Sequence, residues 1–225
     1  MKGTTMRMIL LFALLAGAPV PALAQGWKTL FDGKDLSAWR GYKGAPTPTR
    51  WRVENGAIAL GMEGDKGDLV TTEAFGDFEL ELEWRISEGG NSGIMYFVQE
   101  VDGAPTTYAT GPEMQVLDDA RHPDGKLLSH RAGALYDLIP ASVPAAKPVG
   151  AWNKVRIVSR GGRIEHWLNG RRVVATRHGD DAWRAMVQRS KFNAMPHFAK
   201  VARGRIALQD HGDPVWYRNI RIRTF

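Results

Sequence analysis

The chain contains no cysteine among its 225 residues. Disulfides and thiolate metal sites are therefore excluded, and burial of a core must hold the fold together even outside the cell. It also has no apolar run long enough to cross a bilayer. The longest, Met8 to Ala16, falls well short of the roughly 20 residues a membrane-spanning helix needs. A block of like charge is missing too. The net charge is +6, but Arg156, Arg160, Arg163, Arg171, Arg172, Arg218, Arg221 and Arg223 are interleaved with apolar residues, as solvent-facing strand positions are. Without a basic cluster or a recognisable module, a nucleic-acid partner is not expected. Attraction to an anionic envelope or an acidic glycan is compatible with the modest positive excess.

What is present begins with a leader. Lys2 and Arg7 precede the apolar run, and Pro19, Pro21 and Ala22-Leu23-Ala24 follow it. This order predicts a cleavable secretory signal over 1–24, a mature domain over 25–225, and export across the inner membrane to the periplasm with no further membrane span. About 200 residues suffice for one domain with its own core.

Alternation with a period of two dominates the mature part. In Phe78-Glu79-Leu80-Glu81-Leu82-Glu83-Trp84-Arg85-Ile86 one face is apolar and the other charged, the pattern of an antiparallel strand with one buried side. Shorter runs predict strands over 51–60, 94–99, 154–159, 163–168, 172–175, 205–209 and 217–223, separated by Gly, Asn, Asp and Pro. Asn169-Gly170 tolerates the positive φ of a type I′ turn and predicts a hairpin. In that register Leu168 faces Arg171 and His166 faces Val173, so Ile164, His166, Val173 and Ala175 share a face. Asp180 or Asp181 can cap one short helix carrying Trp183, Met186, Val187 and Ser190. The proline-rich stretch 140–150 reads as a surface loop able to border a cleft. The sum is an all-β sandwich of antiparallel sheets with one short helix.

Several segments carry a family resemblance: Asn91-Ser92-Gly93-Ile94, Gly111-Pro112-Glu113-Met114-Gln115-Val116-Leu117-Asp118, Gly133-Ala134-Leu135-Tyr136-Asp137-Leu138, Trp152-Asn153, His166-Trp167-Leu168-Asn169-Gly170, Ser190-Lys191-Phe192, and Leu208-Gln209-Asp210-His211-Gly212. In wording and order they closely resemble the 3-keto-disaccharide hydrolase family, from Trp27 to Phe225. The resemblance implies a concanavalin A-like jelly-roll β-sandwich with a sugar site on the concave sheet. It also implies a disaccharide or glycoside substrate already oxidised at carbon 3 by a separate sugar 3-dehydrogenase. Two positions depart from the family's habit. Phe97 stands where an arginine is frequent, with an expected effect on substrate contacts, and Ala199 replaces a usual glycine after Phe198.

A ketone at carbon 3 acidifies the hydrogen on carbon 2, and the oxygen on carbon 1 can then leave by elimination, with water adding afterwards. That route needs a base, a stabiliser for the enolate and an acid for the leaving oxygen. Glu113 and Gln115 lie two apart on a strand and so share a face, whereas Asp118 has the opposite parity unless a bulge re-aims it. His211 follows a strand end and suits proton transfer, or else is a turn histidine bonded to Asp210 or Asp213. Glu113, Asp118 and His211 are the candidate catalytic groups. Asn91, Ser92, Gln115 and Gln209 are candidates for sugar hydroxyls, Lys191 for the enolate, and Tyr96, Tyr136 and Trp167 for stacking on a sugar ring. His166 reads as a buried structural histidine. Glu113, Asp118 and His211 also offer ligands for a divalent metal, but no tight ligand motif is present and no cofactor is firmly implied. A non-catalytic carbohydrate-binding module and a conventional jelly-roll glucanase are the competing readings. Neither the oligomeric state nor the exact sugar is legible.

Overall fold

The computed structural model describes residues 26–225, and the expected leader lies outside the described residues. In chain order the strands are β1 (Lys28–Phe31), β2 (Trp39–Gly41), β3 (Trp51–Glu54), β4 (Ala57–Leu60), β5 (Leu69–Thr71), β6 (Phe78–Ile86), β7 (Asn91–Val98), β8 (Glu113–Leu117), β9 (Asn153–Arg160), β10 (Arg163–Leu168), β11 (Arg171–Arg177), β12 (Arg205–Leu208) and β13 (Val215–Thr224). Helix α1 (Asp181–Gln188) lies between β11 and β12. Two antiparallel sheets result. The larger has the order β11-β10-β9-β6-β13-β4-β3, with β1 also on β13, and the smaller has the order β2-β5-β12-β7-β8. This is the antiparallel sandwich expected from the alternation, and of the jelly-roll type that the family resemblance implies.

Period-two patterning builds the core directly. On β6, Phe78, Leu80, Leu82, Trp84 and Ile86 are buried, and they join Ile94, Tyr96, Met114, Val116, Leu208 and Tyr217 in one apolar cluster between the sheets. The intervening residues of β6 form the outer face. There Glu79, Glu81 and Glu83 accept hydrogen bonds from Arg223, Arg221 and Arg218 of β13 at 2.8, 2.9 and 2.9 Å. Guanidinium groups of the same face stack on indoles: Arg218 lies 4.0 Å from Trp152, Arg156 4.1 Å from Trp167 and Arg85 4.4 Å from Trp216. Arg156, Arg172, Arg218, Arg221 and Arg223 are thus engaged by glutamates of neighbouring strands.

Two expectations change, and the two departures from the family's habit acquire a structural setting. The run 51–60 is two strands, because Asn55 (φ 50°) and Gly56 (φ 73°) fold it back as a hairpin. The Asn169-Gly170 turn forms, but the register shifts between His166 and Trp167, so His166 stands opposite Val174. Both Val173 and Val174 are then buried, and Ala175 is exposed. Phe97 adopts φ 59° at an irregularity between β7 and β12 and packs against Phe78, Tyr96 and His178. It is a core ring rather than a substrate contact. Ala199 has φ 48°, the left-handed region that glycine occupies without strain. The loop over 140–150 has no strand or helix, and its Ala145 carbonyl accepts from Asn169 Nδ2 at 2.8 Å. Helix α1 is capped by Asp180, which accepts from the Trp183 N–H at 2.8 Å, and Trp183 is buried.

Candidate active site

The site grows from the pairing of β7 with β8, where Gly93 stands opposite Gln115 and Met95 opposite Glu113. Met114 and Val116 point into the core, so Glu113 and Gln115 are directed to the other side of the small sheet. A side chain on Gly93 would stand 1.7 Å from Glu113 Oε1. Glycine is required there so that the carboxyl can lie across the strand.

Two further segments are fastened onto this edge. Gln209 donates its N–H to Gly93 O at 3.0 Å, and its own carbonyl accepts from Ser92 Oγ at 2.7 Å. The next residue, Asp210, donates its N–H to Asp68 Oδ1 at 2.8 Å and accepts from the Gly67 and Gly212 N–H groups at 3.0 Å each. The turn that delivers His211 is thereby held from both sides. On the opposite edge, Tyr136 donates its N–H to Glu113 O at 3.0 Å, and Lys191 Nζ lies 4.2 Å from the Tyr136 ring centroid.

Together Asn91, Glu113, Gln115, Tyr136, Lys191, Gln209 and His211 line a cavity of about 370 Å³. Its polarity is unbalanced. Glu113 is 5% exposed and Gln115 1%, yet Glu113 Oε1, Gln115 Oε1 and Gln209 Oε1 have no hydrogen-bond partner among the described residues. Burial pushes the Glu113 carboxyl up to about 8, with the Lys191 cation opposing the shift and the Asp68 carboxylate adding to it. Asp68 is itself raised by burial, against a hydrogen bond from Thr107. Tyr136 is pushed up by burial and by the neighbouring Asp124, Glu113 and Asp137 charges, so its phenol keeps its proton.

With this geometry in hand, the comparison with known proteins is decisive. The sequence pattern of the 3-keto-alpha-glucoside-1,2-lyase-like domain matches residues 26–223. The chain belongs to that family. A relative from Bacteroides thetaiotaomicron called 3-keto-disaccharide hydrolase is 39% identical, over 91% of this chain and 80% of its own. A crystal structure from Parabacteroides distasonis, provisionally assigned to the glycosyl hydrolases, superposes with a TM-score of 0.82 at 30% identity, covering 89% of this chain and 94% of that one. A galectin-like fold from Bacillus subtilis aligns with a TM-score of 0.57 at 13% identity, over 88% of this chain and 94% of its own, which speaks to the fold alone.

Several candidates are not brought to the cavity of this family member. Asp118 accepts the N–H groups of Gly89 and Ala120 at 2.8 and 3.1 Å, one on each oxygen. Its parity is not re-aimed, and it ties a turn. Ser92 is buried on the core side, where its hydroxyl also meets Tyr217 OH at 2.8 Å. Tyr96 is fully buried and bonds His166 Nε2 at 3.0 Å, so it cannot stack on a sugar. His166 is the buried structural group expected: Nδ1 is 3.2 Å from Gly133 O, and burial lowers its pKa to about 4. Trp167 lies in a groove of about 870 Å³ on the outer face of the large sheet, apart from the Glu113 cavity.

Phe192, from the Ser190-Lys191-Phe192 segment, also lines the cavity. Tyr108 and Met195 complete it and carry no signal in the sequence. Neither does His122, whose Nε2 is 3.5 Å from Asn91 Nδ2. Of Glu113, Asp118 and His211, which could offer metal ligands, only His211 takes part, among the described residues, in a cluster of possible ligands, and its companions there are His122 and Asp213.

Proposed function

We propose that this cavity cleaves the glycosidic bond of 3-keto disaccharides or 3-keto glycosides by elimination, followed by hydration. The observation that carries the reading is a buried, unpartnered carboxyl with a pKa near neutrality, set in a pocket of unsatisfied acceptors. Sugar hydroxyls are donors, and they supply what Gln115 and Gln209 lack. A carboxyl tuned towards the working pH suits proton transfer at carbon 2. The Lys191 ammonium is the fixed positive charge whose attraction reaches Glu113, and it suits a developing enolate oxygen. His211 stands at the mouth, where the leaving oxygen would emerge. A conventional retaining glucanase needs two carboxyls facing one bond at roughly 5 Å, and the binding of both Asp118 oxygens to backbone N–H groups favours the elimination route instead.

The chemistry asks for a separate dehydrogenase that makes the ketone, and the leader pattern in 1–24 supports action in the periplasm. The discriminating assay incubates the protein with 3-keto-trehalose and with trehalose. Product from the ketone alone is the expected result. Cleavage of trehalose at an equal rate would point to the glucanase, and binding without turnover of either sugar to a carbohydrate-binding module.

A further inference from the structure

At the mouth of the cavity two histidines from distant parts of the chain converge on one amide. Asn91 Nδ2 stands 3.5 Å from His122 Nε2 and 3.4 Å from His211 Nε2, and the two rings meet edge to face with centroids 6.0 Å apart. Asp213 completes the group. Its Oδ2 accepts the Asn91 N–H at 3.0 Å and lies 3.6 Å from His211 Nδ1. One possible ligand atom from each of His122, His211 and Asp213 falls within 4.8 Å of the others.

Two imidazoles and one carboxylate form the donor set that first-row divalent ions favour over calcium or magnesium, which prefer oxygen alone. A second observation points the same way. The cavity that opens beside Asn91 and His211 presents the buried, unpartnered oxygens of Glu113 and Gln115. An acceptor-rich wall next to imidazole lone pairs is an environment that attracts a cation.

We infer that His122, His211 and Asp213 bind one divalent first-row transition-metal ion at the mouth of the cavity. The assignment deepens the reading of the cavity as a 3-keto sugar site and rests on it for the ion's task. With three protein ligands the ion keeps open positions, and there it would serve as a Lewis acid for a sugar oxygen. His211 then acts through the ion it holds rather than by transferring a proton itself. Binding also rearranges a hydrogen. The Asp124 N–H donates to His122 Nδ1 at 3.1 Å, so the neutral ring carries its hydrogen on Nε2. Coordination through Nε2 moves that hydrogen to Nδ1, so the contact between Nδ1 and the Asp124 N–H, then donor against donor, must open as the ring shifts on binding. Ligand atoms around an ion with bonds of about 2.1 Å sit closer than the present spacing, and rotation of the half-exposed His211 side chain can close the gap.

The test uses untagged protein dialysed against a chelator and titrated with Co²⁺, read by its visible absorption and by calorimetry. One equivalent should bind, with His122→Ala and Asp213→Asn each weakening binding at least about tenfold while their melting temperatures in chelator stay near that of the wild type. No stoichiometric binding, or unchanged binding in both variants, overturns the site. Glu113→Gln should bind Co²⁺ as the wild type does, because it removes no proposed ligand. The two readings fail separately. An ion bound without cleavage of 3-keto-trehalose would sink the sugar chemistry and leave the metal site, whereas undiminished cleavage by protein that binds no ion would do the reverse.

Discussion

The two sheets turn very different outer faces to their surroundings. On the large sheet the acidic residues of β6 are answered by the arginines of β13, and the guanidinium groups lie over tryptophans. The groove there is the roomier, about 870 Å³ against about 370 Å³, but the glutamates that line it are already partnered. On the small sheet Glu113, Gln115 and Gln209 are left with orphan oxygens. The orphans on the outer face of the large sheet, Arg85 Nε and Trp216 Nε1, are donors, and its glutamates are satisfied. Unmet acceptor capacity, rather than volume, marks the reactive face, because a sugar hydroxyl can return the free energy that a buried acceptor loses without a partner.

Changing the reactive face should produce the largest effects. Glu113→Gln keeps the shape and removes the proton-transfer group, so kcat/KM on a 3-keto glycoside should fall by roughly 10²–10⁴-fold. The same variant reports on stability. The folded-state pKa of about 8 lies above the ordinary glutamate value of 4.5, so the folded protein holds this proton more tightly than the unfolded chain. The associated stability is complete below the unfolded value and is lost as pH rises through the folded one. Thermal melts of the wild type should therefore decline towards about pH 9, and Glu113→Gln should recover on the order of a few kcal/mol there. A variant with the same pH profile as the wild type would contradict the buried ionisation.

Gly93→Ala comes next. Its new methyl group would collide with Glu113 Oε1, and the carboxyl must move. Stability should drop by about 1–3 kcal/mol, as overpacking generally costs, with turnover down by about 10²-fold for an ångström-scale displacement. Unchanged turnover would show that the Glu113 position is not critical.

The satisfied face should respond least. Arg221→Ala removes a half-exposed guanidinium from Glu81 and Trp27. A loss of at most about 1 kcal/mol, shrinking in high salt, is expected. Turnover should be untouched, and a large fall in turnover would erase the contrast between the faces.

Much of this was legible before the fold was seen. Alternation in 78–86 announces a strand with one buried side, and the parity of Glu113 and Gln115 places them together. The spacing of Asp180 and Trp183 marks a capped helix. Three kinds of feature mislead. Asn55-Gly56 carries the same turn chemistry as Asn169-Gly170, but the apolar pattern continues across it, so two strands look like one. Bulges beside His166 and at Phe97 break parity without a local signature, so Ala175 falls on the outer face instead of beside Val173, and the core position of Phe97 is not legible from its strand. Asp118 and Tyr96 belong to types that sugar sites use, and only their backbone and His166 partners reveal that they are engaged elsewhere.

The amino-acid order by itself determined the all-β class, the Asp180-capped helix and the shared face of Glu113 and Gln115, which follow from local periodicity and turn chemistry acting over a few residues. The family followed from the motifs and their order along the chain. Only the tertiary structure decided that Glu113 is walled in beside Lys191 without a partner, that the equally buried Asp118 is tied to the Gly89 and Ala120 N–H groups, and that His122 meets His211. Burial and convergence depend on segments far apart in the chain, and a residue's neighbours in sequence carry no record of which distant groups will exclude water from it.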